Sequence, residues 1–201
     1  MKIRAHPDYL KLRDRCRSAL ALGIAWDREV VRYAPLRYAK PYDLLSGEGS
    51  RLGGKRFNTR LEFGAVYTSL DPHTATAEVD GKYADFDVHP ADIPSTAKHP
   101  QVRTFIDFRL QRVLDLCDPA VRRRLGVTRA DLGRGWMKSN SRDEESFTQA
   151  LGLAARSAGF EALLVPSRFA GGVNLVWFPG RLLPGSRVWI PHEKELLNYL
   201  K

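Results

Sequence analysis

Five side chains in the first half of the chain have the types to handle an anionic, sugar-containing substrate: Arg32, Tyr33, Arg56, Tyr67 and Glu78. A guanidinium matches phosphate oxygens in a bidentate fork, so Arg32 and Arg56 can clamp a diphosphate. Tyr33 and Tyr67 offer flat faces on which a heteroaromatic ring can stack. Glu78 can bond ribose hydroxyls, or steady the positive charge that develops when a bond at an anomeric carbon breaks. Between them Gly47, Gly49, Gly53 and Gly54 fall within eight residues. Such a cluster marks unusual backbone angles or close approach to a ligand, and loop amides there would add donors for phosphate. Together these parts suit cleavage of an N-glycosidic bond in an anionic dinucleotide. Each also has an everyday account: a solvated helical glutamate, a tyrosine at a core edge, a flexible surface loop.

Positioning these groups takes a strand, a glycine-rich loop, an apolar run and a helix. Residues 29–33 read as a short strand, with Val30 and Arg32 on one face and Val31 and Tyr33 on the other. Residues 37–41 read as irregular and lead into the glycine loop. The apolar run 63–67 follows. Asp71 and Pro72 then start a helix, since Asp can cap and Pro is tolerated at the first helical position. Glu78 falls in its second turn, and the helix fades near Gly81.

The rest of the chain frames that unit. Residues 6–22 read as a helix ended by Gly23, with Tyr9, Leu12, Cys16 and Leu20 on one face. Residues 84–100 contain Pro90, Pro94 and Pro100 and read as a connection. Residues 102–113 alternate as a strand, with Ile106, Phe108 and Leu110 facing one way. Asp118-Pro119 starts a short helix ending at Gly126, Thr128 caps another turn, and 136–140 reads as irregular. Ser141 and Glu144 have capping-box spacing for a helix carrying Phe147, Leu151 and Ala158, closed by Gly159. Residues 162–165 and 175–178 read as a hairpin with a long tip. A last strand at 188–190 and a helix at 193–201 complete the chain. Strands and helices mix without regular alternation, which argues for an α+β fold.

With 201 residues, 43% of them hydrophobic and 27% charged, the chain has the size and balance of one globular domain. It shows no apolar run of membrane-spanning length and no signal-peptide core at its N-terminus, so the expected compartment is the cytoplasm and no membrane partner is expected. Cys16 and Cys117 form neither a disulfide framework nor, with the five histidines, a metal-ligand pattern, so no metal and no bound cofactor is expected. The glycine stretch lacks the Gly-Lys-Ser/Thr of a P-loop and the strand-to-helix setting of a dinucleotide fingerprint. The net charge of +9 invites a nucleic-acid reading, but the basic residues are scattered along the chain.

Arg32-Tyr33, then Leu45 through Asn58 (Leu-Ser-Gly-Glu-Gly-Ser-Arg-Leu-Gly-Gly-Lys-Arg-Phe-Asn), then Val66-Tyr67 and Ala77-Glu78-Val79, resemble the RES-domain toxins. Gly159 through Ser167, with Asn174-Leu175-Val176, resembles the serine region of that family. The family often has Trp where Phe57 stands, and Lys55 is one residue extra. The resemblance implies a fold like that of ADP-ribosyltransferases, a split β-sheet with surrounding helices in a single domain. Residues 1–28 would be a helical extension and 29–190 the catalytic core. It implies Glu78, Arg32 and Ser167 as catalytic residues, with either Arg32 or Arg56 as the namesake arginine. It places NAD, the substrate, against Arg32, Tyr33, Arg56, Asn58 and Tyr67. Ser167 would hydrogen-bond substrate or Glu78, or else serve a local turn. The implied partner is a cognate Xre-type helix-turn-helix antitoxin.

Three functions follow. The first is a toxin that degrades NAD by hydrolysis or phosphorolysis of the nicotinamide–ribose bond. The second is a protein ADP-ribosyltransferase on the same scaffold. The third is a basic nucleic-acid-binding module, supported by Tyr33, Tyr38 and Tyr42 near Arg37 and Lys40. On the first two readings the toxin alone has no sequence-specific affinity for nucleic acid.

Overall fold

The computed structural model describes residues 3–81 and 100–199. The expected connection at 84–100 lies outside these apart from Pro100. Six strands are described: β1 (Ile24–Pro35), β2 (Val66–Ser69), β3 (Gln101–Asp115), β4 (Ala162–Pro166), β5 (Val173–Trp177) and β6 (Arg187–Trp189). Their order is β1-β2-β5-β4-β3-β6, and β1 also pairs with β3, so the sheet curls and closes on itself. β1 and β3 pair antiparallel along almost their whole length, from Ile24–Val113 to Pro35–Gln101. β4 joins β3 in parallel, and β5 runs antiparallel to both β4 and β2. The junction of β1 with β2 rests on one register pair, Val31–Ser69, beyond which the two strands diverge.

β4 and β5 are buried along nearly all their length. Leu163, Val165 and Val176 join one core cluster, while Ala162, Leu164, Leu175 and Trp177 join a second on the opposite face. That two-sided burial explains their unbroken apolar runs. The first cluster is covered by α1 (Tyr9–Ser18), α5 (Pro119–Leu125), α6 (Arg129–Gly133) and α8 (Phe147–Ala158). α2 (Pro41–Ser46) contributes Leu44 to the second, and α9 (Glu193–Tyr199) packs Leu196 against it. α4 (Pro72–Gly81) lies against β1 and β2 at their junction. No helix among the described residues is long and apolar enough to cross a membrane.

Several local expectations change. The first helix is shorter than expected, because a 3₁₀ turn takes over at Leu20–Leu22, and β1 starts directly after Gly23. The glycine stretch is not a loop: α2 runs to Ser46 and α3 occupies Glu48–Gly53. Two of its glycines, Gly47 (φ 69°) and Gly54 (φ 68°), supply left-handed breaks on either side of α3. Gly49 and Gly53 meet nothing where a Cβ would stand. The amides of Glu48, Ser50, Arg51 and Gly54 bond Ser46 Oγ, the Gly47 carbonyl twice and the Ser50 carbonyl, so they form no phosphate nest. Residues expected to be irregular form a 3₁₀ turn at Leu36–Tyr38 and α7 at Met137–Asn140. The capping box of α8 is Ser146 with Gln149, not Ser141 with Glu144. Two Ser-x-x-Glu/Gln patterns overlap there, and the first apolar turn begins only at Phe147. The N-caps at Asp118 and Thr128, the latter part of a capping box with Asp131, and the left-handed closures at Gly126 and Gly159 agree with the sequence reading.

Candidate active site

α4 begins where the sequence places it. The Thr74 amide donates to Asp71 Oδ1 at 2.8 Å and the Thr74 hydroxyl to Oδ2 at 2.6 Å. These bonds hold the Asp71 carboxyl below its ordinary range. Thr74, Glu78 and Gly81 are spaced four and three residues apart, so they share one helix face. The 167–172 loop between β4 and β5 docks along that face at three points. At Gly172 a Cβ would overlap Thr74 Oγ1; at Gly81 a Cβ would overlap the Phe169 ring. Between them Glu78 meets the serine.

Glu78 Oε1 gathers three donors: Ser167 Oγ at 2.7 Å, Asn174 Nδ2 at 2.7 Å and the Arg168 amide at 3.3 Å. Among the described residues no donor reaches Oε2. Ser167 Oγ in turn accepts from the amides of Phe169 (3.3 Å) and Ala170 (3.1 Å). Its hydroxyl therefore serves the turn and the carboxylate together, which joins two of the alternatives read from sequence. With its oxygen accepting from two amides and its proton given to Glu78, Ser167 is hydrogen-bonded on every side by the protein itself, which suits holding the loop and the carboxylate rather than attacking a substrate.

Arg32 follows Val31 at the point where β1 and β2 part. Its Nη1 donates to the Tyr67 carbonyl at 3.0 Å, a group that further β1–β2 pairing would have taken. Its Nε is buried without a hydrogen-bond partner, and among the described residues no carboxylate lies within ion-pair distance. Burial pulls its pKa down to about 10, which still leaves it charged at neutral pH. A half-buried guanidinium whose Nε lacks a partner is suited to bind an anion.

The Tyr67 hydroxyl accepts from the Phe57 amide at 2.8 Å and donates to Asn58 Oδ1 at 2.9 Å. Burial raises its pKa well above the ordinary phenol, with the Arg56 charge opposing. Arg56 thus stands near the hydroxyl end of the ring whose backbone Arg32 holds. Arg56 also donates through Nη2 to the Leu132 carbonyl and lies 5.0 Å over the Phe57 ring. The 55–59 segment is backed by α8: Gln149 Nε2 donates to the Lys55 carbonyl at 3.0 Å, and a Cβ at Gly152 would overlap the Phe57 carbonyl. Lys55 closes the turn, its amide donating to the Asn58 carbonyl at 2.9 Å.

Glu78 and Ser167 are therefore in direct contact, and Arg32, Arg56 and Tyr67 line up along β2. Tyr33 alternates with Arg32 along β1 and lies on the other face, beside Val31. Asn58 differs from expectation. It is fully buried, its Nδ2 donates to the Ser50 and Phe63 carbonyls, and its Oδ1 takes the Tyr67 proton. No part of that side chain is left for a ligand, so Asn58 braces Tyr67 and the arginine segment. Tyr67 packs partly on the core with its hydroxyl occupied by the Phe57 amide and Asn58 Oδ1, and its side chain remains half-buried. Asn174 is the residue that sequence reasoning missed. The one signal was a polar amide inside the apolar run Val173–Trp177. Among the described residues no cluster of potential ligands could hold a metal.

Three comparisons bear on this arrangement. The curated relatives include NAD(+) phosphorylase MbcT of Mycobacterium bovis and of Mycobacterium tuberculosis, each 31% identical over 159 residues, 76% of this chain and 73% of the relative. Among solved structures, the crystal structure of the M. tuberculosis MbcT–MbcA toxin–antitoxin complex superposes with a TM-score of 0.65 at 25% identity, covering 94% of this chain and 96% of that one. The model of the RES domain matches residues 29–196, and on that extent the chain belongs to the RES domain family.

Proposed function

We propose that this chain is the toxin of a toxin–antitoxin pair and cleaves the nicotinamide–ribose bond of NAD. The observation that carries the reading is the Glu78 carboxylate, fixed at one oxygen by Ser167 and Asn174 on a helix that packs against β1, the strand carrying Arg32, which has no carboxylate partner among the described residues. Arg32, with Arg56 behind Tyr67, takes the diphosphate. Glu78 turns Oε2 to the nicotinamide ribose. As nicotinamide leaves with the bonding pair, positive charge spreads over the ribose ring, and a preorganised carboxylate stabilises that state more than bound NAD. The divergence of β1 and β2 supports the split sheet of an ADP-ribosyltransferase-like fold. The name of the mycobacterial relatives favours phosphate as the acceptor at the anomeric carbon. The toxin–antitoxin complex among solved structures favours a protein partner covering this cleft, here an Xre-type antitoxin. The cytoplasm, which holds both NAD and such a partner, is the site of action.

Incubation with NAD, with and without inorganic phosphate, tests the reading. Free nicotinamide with phosphate-dependent ADP-ribose 1″-phosphate is the expected product pair. ADP-ribose alone means hydrolysis, label on protein means transfer, and intact NAD overturns the reading.

A further inference from the structure

We propose that Asn174 and Ser69 set the working orientation of Glu78, as positioning residues that the substrate does not touch. The inference rests on the NAD-cleavage reading above. Ser69 and Asn174 are register partners on β2 and β5, in line with Val31 on β1. They are 4% and 7% exposed. Ser69 Oγ donates to Asn174 Oδ1 at 2.7 Å, and Asn174 Nδ2 donates to Glu78 Oε1 at 2.7 Å. The sense of this chain follows from chemistry. An ionised carboxylate only accepts, so the amide must turn its NH₂ to Glu78. Its Oδ1 then faces Ser69, whose hydroxyl must donate. A flipped amide would set Oδ1 against the Glu78 oxygen. Glu78 therefore selects the amide orientation, Ser69 donates to the Oδ1 that this orientation turns away and so anchors the side chain, and Ser167 approaches the same Glu78 oxygen from the loop. With the Arg168 amide, three donors on Oε1 fix the carboxylate and leave Oε2 for the ribose.

The alternative is that Asn174 merely satisfies buried polar groups at a strand end. Three variants separate the two. In Asn174→Ala, kcat for NAD cleavage should fall about tenfold or more with KM nearly unchanged, as for a group acting in the transition state. Ser69→Ala should show the same pattern more weakly. In Asn174→Asp, two carboxylates at hydrogen-bonding distance must share one proton. Its kcat–pH profile should gain a limb, turnover falling as rising pH removes that proton. The other ionisable groups on the described elements next to Glu78 are Asp71 just before α4, His73 and Asp80 on α4, Arg168 on the loop, Asp27, Arg28, Glu29, Arg32 and Tyr33 on β1 and Tyr67 on β2; β5 brings none. All are common to wild type and variant, so a new limb belongs to the 78–174 pair.

A measurement free of turnover accompanies these: the ¹³C carboxyl resonance of Glu78 in folded protein at neutral pH. Loss of a hydrogen-bond donor to Oε1 should shift that resonance in Asn174→Ala relative to wild type. An unmoved resonance, or a wild-type kcat in folded Asn174→Ala, overturns the inference whatever the substrate. Wild-type protein that leaves NAD intact, yet shows the Glu78 shift, overturns only the functional reading.

Discussion

At the residue scale, the site is a set of side chains whose partners decide their roles. Arg32 lies half-sunk at the β1–β2 split, with one carbonyl for company and a charge that burial makes costly. A lysine there keeps the charge and loses the fork that matches a diphosphate. Arg32→Lys should raise KM for NAD about tenfold or more, the scale of one charge-assisted hydrogen bond, measured by initial rates across NAD concentrations. An unchanged KM would remove Arg32 from diphosphate binding. The placement of Arg32 on a strand and of Glu78 in a helix after Asp71 and Pro72 was legible in sequence because alternation and helix starts are local signals. Asn58 was misread because a buried amide and a ligand-binding amide look alike in one dimension. Only the positions of the Ser50 and Phe63 carbonyls separate them. Asn174 escaped for the converse reason: its two partners lie 105 and 96 residues away.

At the element scale, the Glu78 carboxylate proposed for catalysis depends on how the 167–172 loop seats on α4. Gly172 makes that seating possible. A Cβ there would strike Thr74 Oγ1, and Thr74 cannot retreat because it is buried and bonded to Asp71. Gly172→Ala should undock the loop and cost about 1–3 kcal/mol of stability, the usual penalty of overpacking. It should also lower turnover more than the same loss of stability from a substitution in α1. Denaturant unfolding together with NAD turnover checks this; an unchanged turnover would show that the loop does not support Glu78. Element types were largely legible because caps and periodicity are local. The glycine stretch was not. Low helix propensity argued for a loop there, yet tertiary bonds from Ser50 Oγ to the Ala65 carbonyl and from the Ala65 amide to Ser50 Oγ hold α3 in place. The closed sheet was equally hidden, since the β1–β3 and β3–β4 pairings join distant segments.

At the scale of the whole molecule, the +9 charge and the cleft are separate matters. Among the described residues, six ion pairs join Arg to Asp or Glu side chains. The remaining basic groups are spread over several elements. A spread charge attracts polyanions without selecting a sequence. Binding of the isolated chain to duplex DNA, followed by fluorescence anisotropy, should be weak, indifferent to sequence and lost at moderately raised salt; tight binding to one sequence would favour the nucleic-acid module instead. The central claim is that one preorganised carboxylate makes this chain an NAD-cleaving enzyme. Steady-state NAD cleavage by wild type and by folded Glu78→Gln protein tests it most directly. Glutamine keeps the size and loses the charge, so turnover should fall by about two orders of magnitude or more with NAD affinity little changed. Turnover near that of wild type would contradict the account.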